Sequence, residues 1–186
     1  TGVQTCALPI SRYLATNSEA RTRRESILKL ALSITDIAGA FRSAGQLVDA
    51  AKTEAEEISE ARDEEELKAL KEAWGQTGSR LAQGGFKAVK ELEKEQKSRA
   101  TRMVRDYLDQ ALLDILTLYR DILLIQSGKS GDSVNSDLTK ELERVAASTT
   151  SEETLKKIEA IMKARVNLAH NAAPLLTVEA MMVQLK

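Results

Sequence analysis

From residue 12 onward, apolar positions recur three and four apart, the spacing that lines one face of an α-helix. Residues 12–15 read as the tail of one helix. Asn17 or Ser18 can cap the next, with Glu19 in its first turn, where a carboxylate suits the positive end of the helix dipole. Ile27, Leu28, Leu30, Ala31 and Ile34 form the stripe of that helix. Thr35 or Asp36 can cap a third, carried by Ile37, Ala40, Phe41, Ala44, Leu47, Val48 and Ala51. Beyond Lys52 the stripe thins. Ile58, Leu67 and Leu70 are the only large apolar side chains between residues 54 and 71, which predicts a solvated helical arm.

The stretch 75–85 (GQTGSRLAQGG) holds four of the nine glycines and predicts a flexible surface loop. Phe86 to Gln126 can then run as one long helix. Its first half is basic, with Lys87, Lys90, Lys94, Lys97, Arg99, Arg102 and Arg105. Its second half is apolar, with Leu108, Leu112, Ile115, Leu116, Tyr119, Ile122 and Leu123. A loop over 127–133 precedes three further helices at 137–147, 151–171 and 174–186. The last opens on Pro174, whose missing N–H costs nothing in a first helical turn. No internal repeat of 20–50 residues is evident, which argues against a solenoid.

Composition agrees with an all-α chain. Hydrophobic residues make up 42% of the 186 but aromatics only 3%, so Ala and Leu supply the core, as where helices pack on helices. The 27 basic and 28 acidic residues leave a net charge of -1, so no global field draws the chain to DNA or a membrane. No run of about 18 apolar residues is present, so no membrane span is expected. A single cysteine excludes an internal disulfide framework and fits a reducing, cytoplasmic compartment.

Little in the chain offers chemistry. Gly128-Lys129-Ser130 looks like the end of a phosphate-binding loop, but the glycine needed five residues earlier is Leu123, within a helix and with no preceding strand. His170 is the only histidine, too few for a metal site or a triad, and near a helix end it reads as structural. Glu152-Glu153 and the carboxylates from Asp63 to Glu66 read as solvated groups. The basic helix 87–105 could touch phosphates, with Lys94, Lys97, Arg99 and Arg102 as the contacts. Glu91, Glu93 and Glu95 interleave with its lysines, so a self-paired, solvated face is the expected state. No catalytic residue, metal site or cofactor site is expected, and the chain is not expected to be an enzyme by itself.

One ordered set of residues resembles a known family. Glu93 to Gly128 (EKEQKSRATRMVRDYLDQALLDILTLYRDILLIQSG) carries a basic turn leading into a helix that ends in Tyr119-Arg120-Asp121 and an apolar run. Val134-Asn135 with Asp137 follows the loop. Ala164-Arg165, Asn167-Leu168 and Asn171 then precede Pro174-Leu175-Leu176 and Glu179-Ala180-Met181. This succession resembles the C-terminal domain of the delta-prime subunits of bacterial DNA polymerase III clamp loaders, most like the actinobacterial type. Beside the resemblance, the residues have plain physical roles. Asn171 with Pro174 stops one helix and restarts another. Asn135 and Asp137 can cap a helix start. Arg120 can reach carbonyls or a carboxylate across the bundle.

The resemblance implies an all-α helical bundle, the collar domain of a clamp-loader subunit, with a remnant of the preceding helical lid domain. It implies assembly with the tau/gamma and delta subunits in DNA replication, with DNA touched weakly or indirectly. ATP and zinc would belong to an upstream part. Residues 12–34 would be the lid remnant and linker helix, and 35–186 the collar, with Arg12 matching a nucleotide-sensing arginine. The interface would use Leu175, Leu176, Glu179, Met181, Met182 and Val183, since consecutive apolar residues cannot all face one core. Residues 1–11 are expected to be foreign and unpacked, because TGVQTCALPI back-translates without strain to a sequencing adapter. The competing reading is a free-standing helical adaptor or DNA-binding protein using helix 87–105.

Overall fold

A computed structural model describes residues 18–74, 84–129 and 133–186 of the chain. The expectations for residues 1–11, for Arg12 and for most of the glycine-rich stretch 75–85 lie outside these residues. The described residues form an all-α fold with no strand among them. Six α-helices are seen there: α1 Ser18–Leu32, α2 Ile37–Ala73, α3 Gly85–Gln126, α4 Thr139–Ser148, α5 Ser151–Ala169 and α6 Pro174–Leu185. A 3-10 turn, Ser136–Leu138, leads into α4. No helix among them is long and apolar enough to cross a membrane.

The chain divides into two compact units whose boundaries fall inside α2 and α3. One unit joins the described residues up to Gly45 with Asp109–Lys186; the other is Gln46–Leu108. The expected division between residues 34 and 35 is a different partition. In the structure α1 shares its unit with the C-terminal helices, and Arg24 ties it there.

The first unit is a helical bundle. Leu28 of α1, Leu112, Ile115, Leu118 and Ile122 of α3, Leu142 of α4, Ile161 of α5 and Val178 and Met182 of α6 are fully buried. Each such side chain contributes roughly 1.5–3 kcal/mol when withdrawn from water. Helix ends are set locally. Asp36 accepts from the Gly39 N–H at the start of α2, as its spacing predicts. Thr150 and Glu153 form a reciprocal capping box at the start of α5.

Two helices end in the same way. At the end of α3 the Lys129 N–H reaches Leu124 O at 2.9 Å and the Gly128 N–H reaches Ile125 O at 3.0 Å, with Gly128 at φ 75°. At the end of α5 the Ala172 N–H reaches Asn167 O and the Asn171 N–H reaches Leu168 O, both at 3.0 Å, with Asn171 at φ 62°. Both are Schellman turns, which need a left-handed residue just past the helix. Asn171 thus stops α5, and Pro174 opens α6 three residues later.

The second unit contains the antiparallel hairpin of α2 and α3. Arg99 of α3 pairs with Asp63 at 2.8 Å and with Glu66, and the Gln96 amide donates to Asp63 O at 2.9 Å. The buried hydrophobic side chains of this unit gather at one end, at Leu47, Val48, Ala51, Ala55 and Leu108. Past Ala55 no residue of α2 is buried, in keeping with the thin apolar stripe.

Candidate functional site

The C-terminal helix sorts its residues by angle. Thr177, Val178, Met181, Met182 and Leu185 are buried. At 100° per residue they cover one continuous arc of α6, and Leu176, Glu179 and Val183 lie on the opposite side at i, i+3 and i+7. Leu176 is 68% exposed and Leu175 43%, while Glu179 and Val183 are half-buried. The exposure expected of Met181 and Met182 is therefore corrected. They are adjacent in sequence but only 100° apart on the helix, so one wide core contact takes both.

A second apolar row lies on α5. Leu155, Met162 and Val166 are 47%, 44% and 52% exposed at i, i+7 and i+11, on the far side of the helix from the core row of Ile161, Ala164 and Leu168. Sequence reasoning missed this row. Its signal was present: α5 carries more large apolar side chains than one core-facing stripe can use. A groove of about 480 Å³ runs between α5 and α6, lined by Lys156, Lys163, Asn167, Thr177, Met181 and Gln184.

A buried polar cluster holds the chain that follows α3. Asp121, fully buried, accepts through Oδ2 from Ser133 Oγ, the Val134 and Asn135 N–H groups and Asn135 Nδ2, at 2.7–2.9 Å. Asn135, also fully buried, accepts from the Arg24 guanidinium through Oδ1. Arg24 further donates to Asp114 at 3.1 Å and to Thr117 Oγ1 at 3.3 Å. Burial pushes the Asp114 carboxyl above its usual range, and the charge and hydrogen bond of Arg24 oppose that rise.

Two expectations change here. Asn135 makes no side-chain cap, because its amide is spent on Asp121 and its carbonyl on Arg24. Arg120 does not reach across the bundle: half exposed, it lies 3.5 Å from the neighbouring Asp121. The buried member of the Tyr-Arg-Asp triplet is the aspartate.

Elsewhere in this unit Arg165 forms a two-pronged pair with Asp109 at 2.7 and 3.0 Å, which holds its guanidinium charged. Lys157 donates to Leu185 O at 2.9 Å and lies 5.8 Å from the centre of the Tyr119 ring. Partial burial lowers its pKa.

The expected phosphate contacts split. Lys94, Lys97 and Arg102 are exposed on α3. Arg99 is not free, because Asp63 and Glu66 hold it within the hairpin. Lys87 lies 3.9 Å from Glu91, one of the expected i,i+4 pairs. Gly128-Lys129 closes a helix C-terminus, where carbonyls rather than N–H groups point outward, the wrong polarity for phosphate. Among the described residues no group of three or more His, Cys, Asp or Glu is placed to hold a metal ion. The arrangement offers surfaces and a braced scaffold.

Residues 80–185, over half of the chain, match a family model described as DNA polymerase III, delta subunit, C terminal. No curated protein and no solved structure matches the chain.

Proposed function

Since the chain belongs to the family of C-terminal domains of DNA polymerase III delta subunits, we propose that it is the assembly part of a clamp-loader subunit, of the delta-prime kind. The family match carries this reading. The outward row Leu155, Met162 and Val166 on α5, with Leu175 and Leu176 on α6, supports it, because exposed apolar side chains in rows suit burial against a partner. Glu179 and Val183 share the outward side of α6 and belong to the proposed interface. Met181 and Met182 leave it as core. The tau/gamma and delta subunits are the proposed partners. The delta-prime assignment draws on the succession from Tyr119-Arg120-Asp121 through Asn135 to Asn171 and Pro174. The chain carries out no catalysis by itself in this reading; ATP and zinc belong to other parts of the subunit.

Co-purification of the full chain with tau/gamma and delta tests the reading. The wild-type chain is expected to retain at least one of them at micromolar concentration. Val166→Asp and Leu176→Asp, on exposed positions that leave the core untouched, are expected to weaken retention at least tenfold. Retention of neither partner would overturn the assembly reading and favour the free-standing adaptor.

A further inference from the structure

The hairpin of α2 and α3 is polar along its length. From Asp49 to Glu66 and from Glu91 to Leu108 it carries thirteen carboxylates against seven cations. At the loop end the balance reverses: residues 68–74 and 84–90 hold Lys68, Lys71, Lys87 and Lys90 against the single carboxylate Glu72. The antiparallel register fixed by Arg99 on Asp63 and Glu66 brings these two segments to the same end, about 16 Å along each helix at 1.5 Å per residue. Lys68 and Lys90 are exposed, Lys71 half-buried.

The same end carries two of the six aromatic residues of the chain. Phe86 is 65% exposed and Trp74 37%. Neither is needed by the core, which in this unit lies at the far end of the hairpin. Gly84, at φ 97°, lies against the indole: a Cβ added there would sit 3.3 Å from Cζ3 of Trp74. The glycine lets the backbone support one side of the ring. The amino end of α3, 42 residues long, adds its partial positive charge.

We propose that this end of the hairpin, Trp74 and Phe86 with Lys68, Lys71, Lys87 and Lys90, binds single-stranded nucleic acid, bases stacking on the rings and phosphates lying on the lysines. Exposed rings beside an excess of cations, of which Lys87 also lies 3.9 Å from Glu91, are the combination that holds a single strand without reading its sequence. A duplex keeps its base faces stacked and cannot use the rings. A protein helix carrying acidic residues would match the lysines but would leave the two exposed aromatics without planar partners. The proposal stands independently of the assembly reading, since its residues belong to the other compact unit.

Trp74 is the only tryptophan, so its fluorescence reports directly on the site. The full chain is titrated with a 20-nucleotide oligothymidylate at 50 mM NaCl. Quenching of Trp74 is expected, with affinity falling as salt is raised. Phe86→Ala should weaken binding about fivefold or more, the effect of losing one stacked base. Lys71→Glu with Lys90→Glu should lower the slope of log affinity against log salt by about 1.4, at about 0.7 per phosphate contact on a single strand. Circular dichroism confirms that the variants stay helical. Absence of quenching overturns the proposal. So does quenching that both sets of variants leave unchanged, or equal quenching by a duplex of the same length.

Discussion

Asp121 and Asn135 are bonded twice through one carboxylate oxygen, which takes both the backbone N–H and the side-chain amide of Asn135. The same oxygen takes the Val134 N–H and the Ser133 hydroxyl, so one buried side chain on α3 dictates the path of the chain into α4. Arg24 then closes the cluster from α1. A carboxylate suits this place because an acceptor-only group can satisfy several converging donors.

Asp121→Ala leaves those donors buried and unpaired. Removal of one partner from a buried charged cluster destabilises by about 3–5 kcal/mol. Urea denaturation followed by circular dichroism is expected to show a loss of at least about 3 kcal/mol. A loss below about 0.5 kcal/mol, on the order of that seen for surface changes, would contradict the bonding described.

Asn171 holds a left-handed backbone with an exposed side chain, so the substitution effect there is conformational. Asn171→Gly is expected to be neutral or slightly stabilising. Asn171→Ala should cost about 1 kcal/mol, and Asn171→Val more, because a branched Cβ crowds the carbonyl at positive φ. Equal stability of the glycine and valine variants would rule out this account of the turn.

Burial raises the pKa of the Tyr119 hydroxyl above its ordinary value of 10.0. The neutral form is therefore favoured in the folded chain. As pH rises above about 10 the unfolded chain ionises this tyrosine and the folded chain does not, so stability is lost in that direction. Denaturation of the wild type and of Tyr119→Phe between about pH 8 and pH 11 measures the effect. The wild type is expected to lose more stability above about pH 10; parallel curves throughout would exclude Tyr119 as the cause.

Periodicity alone determined that the chain is helical and where most helices lie. The three- and four-residue spacing located α2 and the long α3, and Asp36, Asn171 and Pro174 marked helix ends through bonds within one turn. The succession of motifs pointed to the polymerase III family that the match at residues 80–185 shows. Tertiary structure decided what each polar or apolar residue is for. Asn135 looked like a cap because caps are local, but its partners Asp121 and Arg24 lie 14 and 111 positions away. Arg99 looked free until Asp63 and Glu66 came beside it from another helix. Met181 and Met182 looked surplus to a narrow core, yet both are buried, while Leu155, Met162 and Val166 face outward. Helix propensity and capping act over a few residues, whereas burial and charge pairing depend on which distant segments the packed bundle brings within about 4 Å.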